Sequence, residues 1–158
     1  MGTLNQRFIL FLATGCGSGY FPKMPGTAGS AIGVLIFFAL SRLTIPLYIV
    51  TILSFVFLAI WAADKAVPLF KNSAQHTKDP QHIVIDEIAG YLVAMISFPA
   101  QWIFVIAGFI VFRIMDISKP YPINRIDKNT RGGVGIVLDD VVAGIYTNIV
   151  LQLFRLFF

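Results

Sequence analysis

Residues 43–63 read LTIPLYIVTILSFVFLAIWAA, 21 consecutive positions without a charge. As a helix rising about 1.5 Å per residue the run covers roughly 30 Å, the thickness of a bilayer's hydrocarbon core. The rest of the chain has the same character. Of its 158 residues 57% are hydrophobic and 13% charged, against about 25% charged in a typical soluble domain. Mean hydropathy is +0.80. Such a composition excludes an ordinary soluble domain, a disordered chain and a nucleic-acid module. A single polytopic membrane domain over 1–158 is expected. Cys16 is the one cysteine, so there is neither an internal disulfide nor a Cys-rich metal site, and its reading is a small packed residue. The opening apolar run, 8–13, is short and gives way to glycines; it reads as an interfacial segment, without the pattern of a cleavable leader.

Working outward, further apolar segments lie at 27–41, 83–99, 102–114 and 136–158. The sum is an all-α integral membrane bundle of about four to five transmembrane or re-entrant helices. The 27–41 segment, at about 22 Å, either spans or re-enters. The helix of 102–114 can run on past Arg113 towards Ile117. With five crossings, ten of the twelve basic residues fall on one side, and only Arg42 and Arg155 on the other. By the positive-inside rule the basic side is the cytoplasmic one. All eight acids fall on or near it. The stretches 71–82 and 118–135 read as ordered loops, the second closing in a Gly132-Gly133-x-Gly135 turn.

The acids carry the chemistry. Asp86 and Glu87 stand in Ile83-Val84-Ile85-Asp86-Glu87-Ile88-Ala89-Gly90, and Asp139 and Asp140 in Ile136-Val137-Leu138-Asp139-Asp140-Val141-Val142-Ala143-Gly144. Both pairs are expected in the first turns of helices. A glycine four residues after Asp86, and another four after Asp140, would let those helices approach closely. Asp116 ends a helix running the other way, at the same depth. One acid in a first turn merely complements the helix dipole; five among apolar flanks repel one another and are costly to bury. A divalent cation resolves both costs, and oxygen-only ligands suit Mg²⁺ first, with Mn²⁺ or Ca²⁺ as alternatives.

Phosphate-binding features accompany the acids. The run from Gly15 to Ser30 is glycine-rich and opens a helix; Lys23 adds a charge, Thr27 and Ser30 add hydroxyls, and helix N-termini attract phosphate. A tight turn re-entering the membrane explains the same glycines, and no Gly-Lys-Ser/Thr of a Walker loop is present. Arg113 and Lys119 flank Asp116 and could hold phosphate oxygens. Arg125, Lys128 and Arg131 read as loop anchors, and His76 and His82 as solvated loop residues.

In order along the chain these blocks resemble the phosphatidylglycerophosphatase A family of bacterial membrane lipid phosphatases. The blocks are Gly17-Ser18-Gly19 with Pro22 and Pro25-Gly26-Thr27-Ala28-Gly29-Ser30; Asp79 with Ile83-Val84-Ile85-Asp86-Glu87 and Gly90; Phe112-Arg113-x-x-Asp116-x-x-Lys119-Pro120-x-Pro122; and Gly132-Gly133-x-Gly135-Ile136 with Asp139-Asp140-Val141-Val142-Ala143-Gly144. Each is unspecific alone; the ordered set is specific. The resemblance implies Mg²⁺-dependent hydrolysis of phosphatidylglycerophosphate to phosphatidylglycerol and phosphate, with a phospholipid substrate and the bilayer as partners and no nucleic acid. Asp86, Glu87, Asp116, Asp139 and Asp140 would supply metal ligands, with Asp79 as a further ligand or a loop-ordering residue. Arg113, Lys119 and Lys23 would neutralise phosphate. Water activated by the ion is the expected nucleophile, an Asp the less favoured one. The rival reading is a small ion-coupled transporter or channel subunit using the same carboxylates. Against it, the acids sit at one interface and the outer half of the bilayer has almost no polar side chains. Oligomeric state and acyl-chain preference stay open.

Overall fold

The computed structural model describes residues 3–71 and 80–157, and within them every regular element is helical. Helix α1 (Leu4–Ala13) starts in a reciprocal cap: the Gln6 N–H donates to Thr3 Oγ1 and the Thr3 N–H to Gln6 Oε1. A short 3₁₀ turn (Ser18–Tyr20) leads to α2 (Pro25–Leu40), whose first residue is a proline preset for a helix start. Then follow α3 (Ile45–Lys71), α4 (Ile85–Ala94), α5 (Trp102–Ser118), α6 (Ile123–Asn129) and α7 (Gly132–Arg155). Two of these, α3 and α7, are long and apolar enough to cross a membrane.

Three boundaries differ from expectation. The charge-free run was expected to end at 63, but α3 continues to Lys71. Ala62, Ala63 and Ala66 are fully buried there, and Asp64 has a partner, its Oδ1 accepting from the Gly133 N–H at 3.3 Å. A polar residue with a partner need not end a helix.

The 83–99 segment yields a helix of only 10 residues, about 15 Å long, too short to cross a hydrocarbon core of about 30 Å by itself. Its end is fixed by neighbours that take its last carbonyls. Tyr48 Oη of α3 donates to Leu92 O at 3.0 Å, and Asn148 Nδ2 of α7 donates to Ala94 O and Ile96 O at 2.8 and 2.9 Å. Thus satisfied, the backbone can leave the helix inside the protein. Residues 95–101 carry the chain on to α5.

The third is the expected turn 132–135, which is instead the start of α7. A Cβ at Gly133 would run into Ile60 O and the Asp64 backbone, so only glycine lets α7 begin against α3. The acid pair at 139–140 therefore stands two turns inside α7, not in its first turn. The 118–135 loop also contains α6. The expected extension of the 102–114 helix past Arg113 is present, as α5 runs to Ser118.

Helix α4 is the axis of the bundle. Of its residues, Ile85 and Ile88 through Ala94 are buried, and it packs on α2, α3, α5 and α7. Its closest neighbour is α7. A Cβ at Gly90 would stand 2.6 Å from Asp140 O and 2.7 Å from the Phe112 ring, and one at Gly144 would run into Gly90 O. The two glycines anticipated as approach points thus bring α4 and α7 into backbone contact, with Asp86 and Asp140 one turn before them. A main core gathers around Phe37, Tyr91, Leu92 and Phe112; a second, alanine-rich one joins α1, α3 and α7. Helices α2 and α5 run antiparallel: the Phe38 ring packs tilted against Trp102, centroids 5.1 Å apart, while Gly26 meets Arg113.

Candidate active site

At the Gly26 end, five helices (α2, α4, α5, α6 and α7) and the segment before α2 enclose a cavity of about 480 Å³. Asp86 and Glu87 reach it from the first turn of α4, Asp139 and Asp140 from α7, and Arg113 and Asp116 from α5. Lys119, at the left-handed cap of α5 (φ 42°), Lys23 before α2 and Thr27 within it also line it. Every described acid expected at the site is present. Asp79, Lys78 and His76 lie outside the described residues.

The carboxylates divide by partner. Asp116 Oδ2 accepts from Arg113 Nη1 at 2.5 Å. Asp139 Oδ2 and Asp127 Oδ1 both accept from Lys119 Nζ, at 2.7 and 3.0 Å. Burial opposes the charge on Lys119, but the hydrogen bonds and attraction of Asp139 and Asp127 outweigh it and hold its pKa above the ordinary lysine value. Asp86, Glu87 and Asp140 remain. Each offers an oxygen within 4.8 Å of the others, and Asp86 Oδ1, Glu87 Oε2 and Asp140 Oδ2 are buried without a hydrogen-bond partner. Orphaned buried oxygens are rare because each costs on the order of 1–3 kcal/mol, more when charged. Three of them converging, all hard donors, are a donor set that fits a divalent cation.

Gly26 has a part in this arrangement that its sequence did not reveal. A Cβ there would run into Glu87 Oε1 and stand 3.1 Å from both terminal nitrogens of Arg113. Asp127 was also missed; it lies in α6, inside a stretch read as a loop, and a lone loop acid carries no signal. Ser30 does not reach the cavity. It is fully buried and its hydroxyl donates to Gly26 O at 3.0 Å, within α2. The glycine-rich turn before Lys23 likewise stays outside the cavity lining. Two other readings change. His82 is not a solvated loop residue: its ring lies between Tyr20 and Phe70, at 5.2 and 5.7 Å, with Nδ1 2.9 Å from Gly19 O. Cys16 is exposed rather than packed.

An acid-lined floor beside Arg113 and two lysines is a place where phosphate and a metal ion can meet. Comparison with known proteins gives that chemistry a family. Residues 11–155 match the family model of phosphatidylglycerophosphatase A. The chain belongs to this family of phosphatases. It is 36% identical to the phosphatidylglycerophosphatase A of Escherichia coli over 135 residues, covering 85% of this chain and 76% of that one. With the Haemophilus influenzae protein of the same name the identity is 35% over 146 residues, 90% and 86% of the two chains. A Bacteroides thetaiotaomicron protein, provisionally named as a phosphatidylinositol-3-phosphatase, is 36% identical over 154 residues, 92% of each chain. No solved structure matches the chain.

Proposed function

We propose that the chain is a bacterial inner-membrane enzyme that hydrolyses phosphatidylglycerophosphate to phosphatidylglycerol and inorganic phosphate, with its cavity facing the cytoplasm and Mg²⁺ held by Asp86, Glu87 and Asp140. The observation that carries the reading is the convergence of three carboxylates, each with a buried oxygen that has no hydrogen-bond partner, beside Arg113 and Lys119 in a chain of this family. Asp116 and Asp139 then act through the cations they hold rather than as first-choice ligands.

When bound, the ion would supply positive charge against the phosphate and lower the pKa of a water nucleophile. The protein's own groups do the rest. Lys23, exposed on the rim, meets the incoming phosphomonoester. Arg113, braced by Asp116, offers its remaining N–H groups as a fork for phosphate oxygens. Lys119, held charged between Asp139 and Asp127, adds a second fixed positive charge. The N–H groups of Gly26 and Thr27, in the first turn of α2, have no acceptor inside the helix and sit where its dipole favours an anion. Hydrolysis breaks the bond between phosphorus and the glycerol oxygen. The alcohol leaves with a proton, and the water oxygen ends in inorganic phosphate.

Orientation rests on charge. Ten of twelve basic residues belong to the cavity's side when the chain crosses five times. Helix α4 makes its crossing only together with the irregular 95–101 segment. The transporter reading gains no support: the acids described lie at or near one end of the bundle, and the cavity lining stays there.

The test is phosphate release by purified protein from phosphatidylglycerophosphate in mixed micelles, with Mg²⁺ and then with excess chelator. Metal-dependent release is expected. No release from folded protein and fresh substrate would overturn the reading. Because of the Bacteroides relative, phosphatidylinositol 3-phosphate belongs in the same assay, and faster release from it would transfer the substrate assignment to that lipid.

A further inference from the structure

The cavity has an apolar lip. Met24, just before α2, and Ile117, in the last turn of α5, both line it and are 55% and 71% exposed. The other isoleucines of the lining, Ile83 and Ile136, are buried. Ile117 also ends a row. Ile103, Ile106, Ile110, Ile114 and Ile117 are all exposed, and steps of three and four residues put them on one face of α5. Phe104, Val105, Gly108 and Phe112 fill the opposite, buried face. The row begins beside Trp102, where α5 packs on α2 through Phe38. A continuous apolar surface therefore leads along the helix to the rim of a cavity with a charged floor.

We propose that the opening between Met24 and Ile117 is a lateral portal to the bilayer, and that the isoleucine row on α5 seats an acyl chain of the substrate. This selects membrane-embedded phosphomonoesters over soluble ones. The inference deepens the lipid-phosphatase reading and rests on it. A phospholipid's phosphate must reach Arg113 and Lys119 while its chains remain in hydrocarbon. A rim polar throughout would force chain carbons past charged groups, and one apolar throughout would strip the phosphate of solvation. An apolar lip beside Lys23 and Gln81, which line the same opening, avoids both. The row attracts a chain no more strongly than bulk lipid does, since both are apolar; it fixes the route and depth at which the headgroup arrives. Blocking the route is therefore a sharper test than making it polar.

The experiment compares dioleoyl with dihexanoyl phosphatidylglycerophosphate as substrates for the full chain and for Met24→Trp and Ile117→Trp. The ratio of kcat/KM, long chain over short, should fall about tenfold or more in the plugged variants, the scale of overpacking a tight passage. Val50→Trp, on the exposed face of α3, should leave the ratio unchanged. A second measurement does not depend on the variants: a substrate carrying a diazirine near the ester end of one acyl chain should label the peptide bearing Ile114 and Ile117. An unchanged ratio in both plugged variants, or label confined to α3, would overturn the portal while leaving the phosphatase reading intact. Where short-chain turnover is too slow to compare, the label decides. Absence of phosphate release from either substrate by the unaltered chain would overturn both readings together.

Discussion

At one end of the bundle the cavity collects six carboxylates, an arginine and two lysines. At the other, a smaller cavity of about 250 Å³ lies between Phe37, Tyr48, Met95 and Phe98, with Ser41 and Arg155 at its edge. The polar groups near the far cavity serve the backbone: Tyr48 and Asn148 donate to the carbonyls that end α4. At the site end the pattern reverses. Among the described residues, the buried side-chain atoms without a partner belong to Asp86, Glu87, Arg113, Asn124, Asp139 and Asp140, and none lies at the far end. A fold selected for stability alone would not gather its unsatisfied polarity in one place. The far end shows that these helices can satisfy buried polar groups fully; the site end leaves them open, as a binding site must.

The largest effect expected from breaking this contrast is on turnover. Asp86→Ala, Glu87→Ala and Asp140→Ala should each lower phosphate release by on the order of 10³-fold, the scale of losing an ion or its alignment in a transition state. Helicity and membrane insertion should be retained, because removing a repelling carboxylate relieves the apo fold. The matched reading is thermal: Mg²⁺ should raise the Tm of the unaltered chain, through preferential binding to the folded state, and fail to raise that of the Asp140→Ala variant. Near-normal turnover in all three variants would overturn the proposal that they hold a metal ion.

Next comes the contact that aligns the acids. Gly90→Ala places a methyl 2.6 Å from Asp140 O, a backbone atom that cannot swing away. It should destabilise the protein by about 1–3 kcal/mol, as overpacking generally does. It should also lower kcat more than KM rises, since α7 is pushed off α4 beside Asp86 and Asp140. Melting in detergent and initial rates would separate the two effects. A stability loss with unchanged kcat would mean that the acids do not depend on the helix crossing.

This crossing was legible in the sequence, since both glycines follow their acids by four residues in apolar surroundings. The residues lining the site were mostly legible for the same reason: charge within apolar flanks is conspicuous. What periodicity could not supply was the division of labour. Whether Asp116 or Asp140 holds a cation depends on Arg113 and Lys119, and those pairings are fixed by how α5 ends. Nor could it show where α4 stops. Residues 83–99 are apolar enough for a span, but the helix ends where Asn148 and Tyr48, 54 and 44 positions away from the carbonyls they reach, take over its hydrogen bonds. Ser30 failed as a phosphate ligand because a serine inside a helix can bond the carbonyl four residues back, which composition alone does not reveal.

Asn148→Ala tests the far end. It leaves Ala94 O and Ile96 O without their donor and should cost about 1–3 kcal/mol. Turnover at saturating substrate should stay near normal in the molecules that remain folded. Asn148→Asp, which puts an acceptor against the two carbonyls, should be worse than the alanine. If either variant lowered kcat as far as Gly90→Ala does, the two ends would be mechanically coupled through α4.

Arg155→Ala gives the smallest expected change. Its Nη1 reaches Ser97 O at 3.5 Å, the outer limit of a hydrogen bond, and the residue is exposed. Surface changes of this kind fall within about 0.5 kcal/mol, so melting temperature and turnover should both stay near those of the unaltered chain. The comparison gives this prediction its value. Arg113 and Arg155 are both arginines on bundle helices, but Arg113 holds a half-buried carboxylate at 2.5 Å while Arg155 meets only a distant carbonyl. Arg113→Ala should therefore leave Asp116 without its cation inside the cluster and lower phosphate release by on the order of 10²-fold. If Arg155→Ala were instead comparably damaging, the far cavity would be a second functional site, and the assignment of function to unsatisfied polarity would fail there.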